Sequence, residues 1–336
     1  MNDIRSQFPG LRPDVAYLDN AATTQICSAA LDAMHAYLRA GRSNVGRGLY
    51  PMAETSMNAY EDSRKTIANF VDADPATTVF TKSVTEGLNA IAFGVRSILN
   101  PGDEILVSPF EHHANLLPWR RIARERGAIV RTMPMTNDFV LDVDGAVAMM
   151  NEKTKIIATT MVSNVLGTIV PIQQIISAAT TSNAQRPTPF IIIDAAQAAV
   201  HLPISMRDLG ADAIVFGSHK CYGPAGVAVM ALSHRLASTM EPMLVGGGTV
   251  DAVGADTEVW RDIPTRFEGG SPNVEGAVGF AAALQSLPLQ RGSRRGCEIL
   301  RTKLVTSLRS ISGITIFNPR EAVGIVSFTV DGAHPH

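Results

Sequence analysis

The sequence predicts an α/β protein built on a mainly parallel, doubly wound sheet. Two observations carry this expectation. Short apolar runs recur at Thr77–Thr81, Glu104–Ser108, Ala128–Pro134, Lys155–Thr160, Phe190–Ile193 and Ala213–Phe216, each of a length suited to a buried strand. Segments of helical character alternate with them, with no internal repeat and no low-complexity linker.

Taken in order, residues 1–16 read as an amphipathic N-terminal arm broken at Phe8-Pro9-Gly10. Tyr17–Thr24 reads as a short strand passing into a loop of small residues. Asn20 and the threonines there can cap a helix over Ser28–Arg39, or the backbone around Ala22 can line a small polar substrate. Ser43–Gly48 is a flexible loop before a long helix, Pro51–Phe70. Ser83-Val84-Thr85-Glu86-Gly87 then opens a helix running to about Ile98. An N-cap with a capping glutamate explains that start, and the same hydroxyls and free N–H groups also make a ready phosphate site.

The turn Asn100–Asp103 introduces a strand that delivers Glu111-His112-His113-Ala114-Asn115 and then Pro118-Trp119. Adjacent histidines point different ways on a helix, so they make poor joint metal ligands; one of them stacking on a planar ring is a better use. Ser163–Thr168 follows a strand as a further active-site loop. After Gly246–Thr249 a loop-rich stretch leads to Arg266–Asn273 and a helix near Val274–Leu287. A strand over Gly324–Val330 closes the chain. The expected organisation is an arm over 1–20, a large domain over 21–285 and a smaller α+β domain over 286–336.

Composition narrows the function classes. At 336 residues with 46% hydrophobic content the chain can bury a sizeable core, yet no apolar run is long enough to cross a bilayer. The start, MNDIRSQFPG, lacks the apolar stretch of an export signal. A net charge of −2 without a basic block argues against nucleic acid as the main partner. Three cysteines show no metal-type spacing, and their odd number is poor material for a disulfide framework, so a reducing cytoplasm is the expected home.

The stretch Phe190–Gly226 gives the strongest chemical signal. Asp194 stops one apolar run; Lys220 follows the next, after Gly217-Ser218-His219. Ligands of open α/β sheets bind at the carboxyl ends of strands, where both residues would lie. One Lys and one Asp in a buried cleft is the pair that pyridoxal phosphate chemistry wants, the Lys for a Schiff base and the Asp to keep the pyridinium nitrogen protonated. On their own, the Asp reads equally as a helix cap and the Lys as a solvated loop residue.

DNAATT (19–24), TEG (85–87), EHHANLLPW (111–119), SNVLG (163–167), DAAQA (194–198), SHKCYGPAG (218–226) and RFEGGSPN (266–273) occur in this order. Together they resemble the SufS-like cysteine desulfurases and selenocysteine lyases, class V aminotransferases of fold-type I, over nearly the whole chain. The resemblance implies that Lys220 carries pyridoxal 5'-phosphate and shuttles protons at the substrate α-carbon. It implies that Asp194 pairs with the pyridinium nitrogen, Gln197 bonds the phenolic oxygen and His112 stacks on the ring, with His113 structural. Thr85 and His219, with Ser218 nearby, hold the phosphate, and Ser271 of a dimer mate completes that site. Asn164, with the backbone at Ala22, faces the substrate. A homodimer, L-cysteine or L-selenocysteine as substrate, and a small sulfur-acceptor protein follow as expectations.

Three departures from the family pattern stand out. Gly217 occupies a position that usually bears a hydroxyl, Val84 one that often bears Thr, and Gly46 one where close relatives carry His. The resemblance also implies a nucleophilic cysteine and a carboxylate-binding arginine in a C-terminal segment beyond His336, so the small domain reads as C-terminally incomplete, with apolar surface left uncovered. Cys27 and Cys297 read as packing or surface residues, and Cys221 as pointing away from the carbon that Lys220 serves. The alternatives are another class V enzyme (a selenocysteine lyase, β-lyase, epimerase or transaminase) and a degenerate non-catalytic partner subunit.

Overall fold

The computed structural model describes residues 4–46, 48–181, 188–286 and 291–334. Arg47, Leu287, Pro335 and His336, on which parts of the sequence reading fall, lie outside them. The strands in chain order are β1 (Thr78–Thr81), β2 (Glu104–Val107), β3 (Ile129–Thr132), β4 (Thr154–Thr160), β5 (Phe190–Asp194), β6 (Ala213–Gly217), β7 (Ala228–Leu232), β8 (Val250–Val253), β9 (Glu258–Trp260), β10 (Ile314–Ile316) and β11 (Phe328–Val330). The helices used below are α1 (Ser28–Gly41), α2 (Pro51–Phe70), α3 (Val84–Gly94) and α4 (Leu117–Arg126). They continue with α5 (Val143–Ala148), α6 (Ile172–Thr181), α7 (Ala198–His201), α8 (Met206–Leu209), α9 (His234–Thr239), α10 (Val274–Ser286) and α11 (Arg291–Arg309).

The chain forms two compact units. The first comprises Met1–Leu99 with Pro203–Leu287, the second Asn100–Leu202 with Pro288–His336.

In the first unit the strand order is β1-β7-β6, with both pairings antiparallel. Every residue of β6 and β7 is buried, as expected of continuous apolar runs covered on both faces. The α2 residues Ala53, Ser56, Tyr60, Ser63, Ile67 and Ala68 recur at helical spacing along one buried face, and Pro51 opens the helix where its missing N–H costs nothing. The α10 helix is rich in Gly and Ala and packs closely on α1. A Cβ at Gly279 would stand 2.7 Å from Met34 Cγ and Sδ. Phe280 of α10 meets Phe216 of β6 edge-on, with ring centroids 5.6 Å apart.

A buried ion pair anchors the segment that leads to Ser271. Arg64 of α2, 2% exposed, reaches both carboxylate oxygens of Glu268, at 2.6 and 3.0 Å. Its guanidinium lies 4.9 Å from the ring centroids of both Tyr60 and Phe80. The Phe80 N–H and the Tyr60 hydroxyl donate to the same carboxylate.

In the second unit the order is β5-β4-β2-β3, with all three pairings parallel. The α4 helix begins with Pro118 in its first turn and places Trp119 wholly inside. A two-stranded antiparallel ribbon joins β10 to β11.

Several elements differ from the sequence expectation. Tyr17–Asp19 is no strand; a turn at Asp19–Thr23 takes its place. Helix α1 is preceded by Cys27 and has no side-chain cap, because Thr24 is committed elsewhere. The arm shows regular structure only at the single 3-10 turn Ile4–Gln7 among its described residues. Helix α3 stops at Gly94 and passes into a 3-10 turn, Arg96–Ile98. The expected strand over Gly324–Val330 shortens to Phe328–Val330, limited by the three residues of β10 that pair with it. The loop-rich stretch after Gly248 contains the β8–β9 hairpin, and β7 was not anticipated.

Replacing Arg64 by Met would leave Glu268 buried without its cation. Chemical denaturation should show a loss of about 3 kcal/mol, and an unchanged midpoint would show the ion pair to be dispensable.

Candidate active site

The first unit supplies the lysine. Strand β6 ends at Gly217 and the chain returns as β7, so the connection Ser218–Val227 must reverse within a short span. The Ser218 carbonyl is its pivot, accepting from the N–H groups of Cys221 (2.7 Å) and Gly223 (3.1 Å). Tyr222 takes the left-handed backbone conformation at φ +62°. Half-buried Lys220 sits in this turn. The loop before α1 pins it from outside: the Thr24 N–H and hydroxyl both donate to the His219 carbonyl at 2.9 Å, and the Tyr222 N–H donates to Thr24 Oγ1 at 2.8 Å. Thr24 and the DNAATT loop therefore brace the lysine turn rather than cap α1. Ala22 is exposed, its N–H bonded to the Asp19 carbonyl.

The start of α3 lies beside the end of β6. A Cβ at Gly217 would stand 3.1 Å from Val84 Cγ2, so two of the departures from the family pattern meet each other. Ser83 caps the helix by accepting from the Glu86 N–H, and Glu86 accepts from the Lys82 N–H. This leaves the Val84 and Thr85 amides at the open helix end, beside the exposed Thr85 side chain. Ser218 Oγ is buried with no hydrogen-bond partner, and only a glycine at 223 gives it room, since a Cβ there would lie 2.2 Å away. Burial, followed by the charge of Lys220, holds the half-buried His219 below the ordinary imidazole value. An orphaned buried hydroxyl is costly to leave unmade. With open helix amides beside it, the donor set suits a phosphate.

Ser271 is exposed in the turn that Glu268 anchors, and Asn273 caps α10 through the Gly276 N–H while donating to the Gly226 carbonyl. Sequence reasoning missed the cavity of about 530 Å³ there, lined by Arg42, Tyr50, Ser271 and others.

The second unit supplies the remaining residues. Parallel strands bring their carboxyl ends to one edge, and Asp194 and Thr160 are register partners there. Asp194 is 4% exposed, and its Oδ1 accepts from the Ala196 N–H at 2.9 Å. Gln197, also buried, precedes α7. His112 is exposed and accepts from the Ala114 N–H through Nδ1, which leaves Nε2 as the protonated nitrogen of a neutral ring. The His113 ring lies 5.8 Å from it, tilted by 43°. Asn164 is half-buried in the loop after β4, which Asn318 and Ser327 hold by donating to Leu166 and Val165 carbonyls. Among the described residues no group of three or more His, Cys, Asp or Glu is arranged to hold a metal.

Sequence reasoning also left Glu111 without a role. Its carboxyl accepts from the Thr160 N–H at 2.6 Å, from Asn115 Nδ2 at 2.6 Å and from Ser108 Oγ. Burial outweighs these three donors and, with the charge of Asp194, pushes Glu111 up to about 8.

The family model for class-V aminotransferases matches residues 16–336. The chain belongs to the class-V aminotransferase family. It is 34% identical, over its full length, to a probable cysteine desulfurase of Halalkalibacterium halodurans, and it spans 84% of that protein. The apo structure of a cysteine desulfurase from Thermococcus onnurineus superposes with a TM-score of 0.93 at 33% identity, covering 99% of this chain and 83% of that one. A C-DES variant with glycine covalently linked to its pyridoxal phosphate shares the fold at 23% identity and a TM-score of 0.83. This class-V chain is thus an α/β, fold-type I enzyme of the cysteine desulfurase type. The orphaned Ser218 hydroxyl and the open α3 amides of the first unit fit the phosphate of a pyridoxal phosphate.

The three thiols of these 336 residues differ sharply. Cys221 is wholly buried, and burial pushes it up to about 12 despite the nearby Lys220 charge. Cys27 is buried against Ser286, and Cys297 is exposed on α11.

Glu111 should leave a pH signature. Its folded value lies above the unfolded one, so its contribution to stability is complete below about pH 4.5 and is lost as pH rises to about 8. Urea midpoints of the apoprotein should fall across this window and fall less in Glu111→Gln. An equal fall in both would assign the titration to another group.

Proposed function

We propose that the chain converts L-cysteine to L-alanine, the thiolate of a cysteine nucleophile other than Cys221 attacking the substrate sulfur so that the Cβ–S bond breaks and the sulfur stays on that nucleophile as a persulfide. The observation that carries this reading is the braced Lys220 turn with its unsatisfied phosphate donors, in a chain of the desulfurase family. Bound pyridoxal phosphate supplies an electron sink for the carbanion left when the substrate α-proton departs. Lys220 holds the cofactor and then carries the proton to and from the α-carbon. Asp194 keeps a proton on the ring nitrogen, Gln197 donates to the phenolic oxygen and His112 covers the ring face. Thr85, Ser218 and His219 bind the phosphate, with Ser271 contributed by a second copy of the chain. Asn164, with the Ala22 backbone, orients the substrate carboxylate. L-selenocysteine as an alternative substrate, a small protein as sulfur acceptor and a cytoplasmic setting complete the reading. Among the described residues no helix is long and apolar enough to cross a membrane.

The buried, high-value Cys221 thiol favours a second reading for these 336 residues. Thiolate, not thiol, attacks sulfur, and a thiol held near 12 is almost wholly protonated at neutral pH. In this reading the residues bind and activate the amino acid as in an epimerase or transaminase, without breaking its carbon–sulfur bond, and a purely non-catalytic subunit has no need of the Lys220 set.

Visible absorbance before and after addition of L-cysteine separates these readings. The cofactor band should be present, should vanish in Lys220→Ala, and should shift with L-cysteine while alanine accumulates. A shift without released alanine or sulfide supports the second reading. A band that survives Lys220→Ala would remove the lysine from its role.

A further inference from the structure

The Glu111 carboxyl closes the loop that runs from Ser108 to Asn115 and ties it to the end of β4. Ser108 stands just beyond β2, Thr160 is the last residue of β4, and Asn115 lies on the far side of the histidine turn. Asn115 is wholly buried and passes the connection inward, its Oδ1 accepting from Trp119 Nε1 at 3.0 Å. The carboxyl therefore grips the turn bearing His112 from both sides, at Glu111 itself and at Asn115. It also grips the residue next to Asp194 in the sheet. Thr160 pairs in register with Asp194, and the Thr160 hydroxyl and Met161 N–H both donate to the Asp194 carbonyl, at 3.3 and 2.9 Å.

We propose that Glu111 is a positioning residue for the cofactor ring, fixing the His112 turn relative to the strand end that carries Asp194. This inference rests on the reading above in which His112 covers the ring and Asp194 serves its nitrogen. A simple packing role would need only bulk and apolar contact at this place. A carboxyl held by three directional bonds, two within the histidine loop and one to the end of β4, sets spacing instead, and spacing matters to a flat ring held between a stacked imidazole and a carboxylate. Glutamine at 111 keeps the volume and one acceptor oxygen, but turns an amide N–H toward the Asn115 N–H and so releases one side of the grip.

The test uses pyridoxal phosphate titrated into the apoprotein, read by its dissociation constant and by the induced circular dichroism of the bound ring. Wild type, Glu111→Gln, His112→Ala and the double variant form one cycle. Glu111→Gln should weaken binding about tenfold and alter the dichroism of the fully loaded protein. In the His112→Ala background the same change should cost less than about twofold, because the group it positions is gone. Equal losses in both backgrounds, or an unaltered ring signal, would overturn the proposal and leave Glu111 a structural residue. If His112→Ala itself changes neither affinity nor dichroism, the ring-stacking reading fails and takes the proposal with it. If His112→Ala weakens binding and Glu111→Gln does not, only the proposal fails. Should Glu111→Gln not fold, Ser108→Ala, which removes one of the three partners, replaces it in the cycle with the same outcomes at reduced size.

Discussion

The chemistry of this protein is governed by where buried strands leave room for polar side chains. Strands β6 and β7 are buried throughout, and β5 and β4 nearly so. The middle of a strand covered on both faces has no place for a lysine, a charged carboxylate or a phosphate donor, since burying such groups unpaired costs several kcal/mol. Polar function is confined to the ends. In the first unit that end is Gly217 and the turn after it; in the second it is the shared edge at Val107, Thr160 and Asp194.

Turns at strand ends lack a ladder to hold them, and this chain fixes them with buried polar contacts. Thr24 binds the lysine turn through the His219 carbonyl, Glu268 ties the Ser271 segment to Arg64, Asn318 holds the loop of Asn164, and Glu111 ties the loop around His112 to the end of β4. Each such contact is directional, so it sets orientation as well as stability. These groups lie within the DNAATT, EHHAN and RFEGGSPN motifs or beside SNVLG, which explains why residues with no chemical task of their own sit inside motifs of chemical residues.

The departures from the family pattern also have a local logic. Val84 and Gly217 face each other closely, so an apolar side chain on one is matched by the absence of a side chain on the other. The donors that remain around them are backbone amides of α3, the Thr85 hydroxyl and the orphaned Ser218 hydroxyl. On the proposed function, phosphate binding leans on helix geometry and on a serine one place nearer the lysine.

The sequence by itself determined the alternation of elements, most strand positions and the long α2 helix, and it singled out Lys220, Asp194, Gln197 and His112 as candidates. These are local matters, since short apolar runs, caps and motif spacing are all read within a few residues of chain. It did not reveal β7, whose role depends on pairing with β1 and β6 far away in sequence, nor the β8–β9 hairpin in a stretch rich in glycine and charge. Thr24 looked like a helix cap because threonine before a helix commonly is one, and only the fold brought the His219 carbonyl to it. Glu111 looked like one more polar residue in a motif. Its task became visible when the parallel register carried Ser108 and Thr160 to the same edge, because a carboxylate's partners are chosen by distance in space and not along the chain.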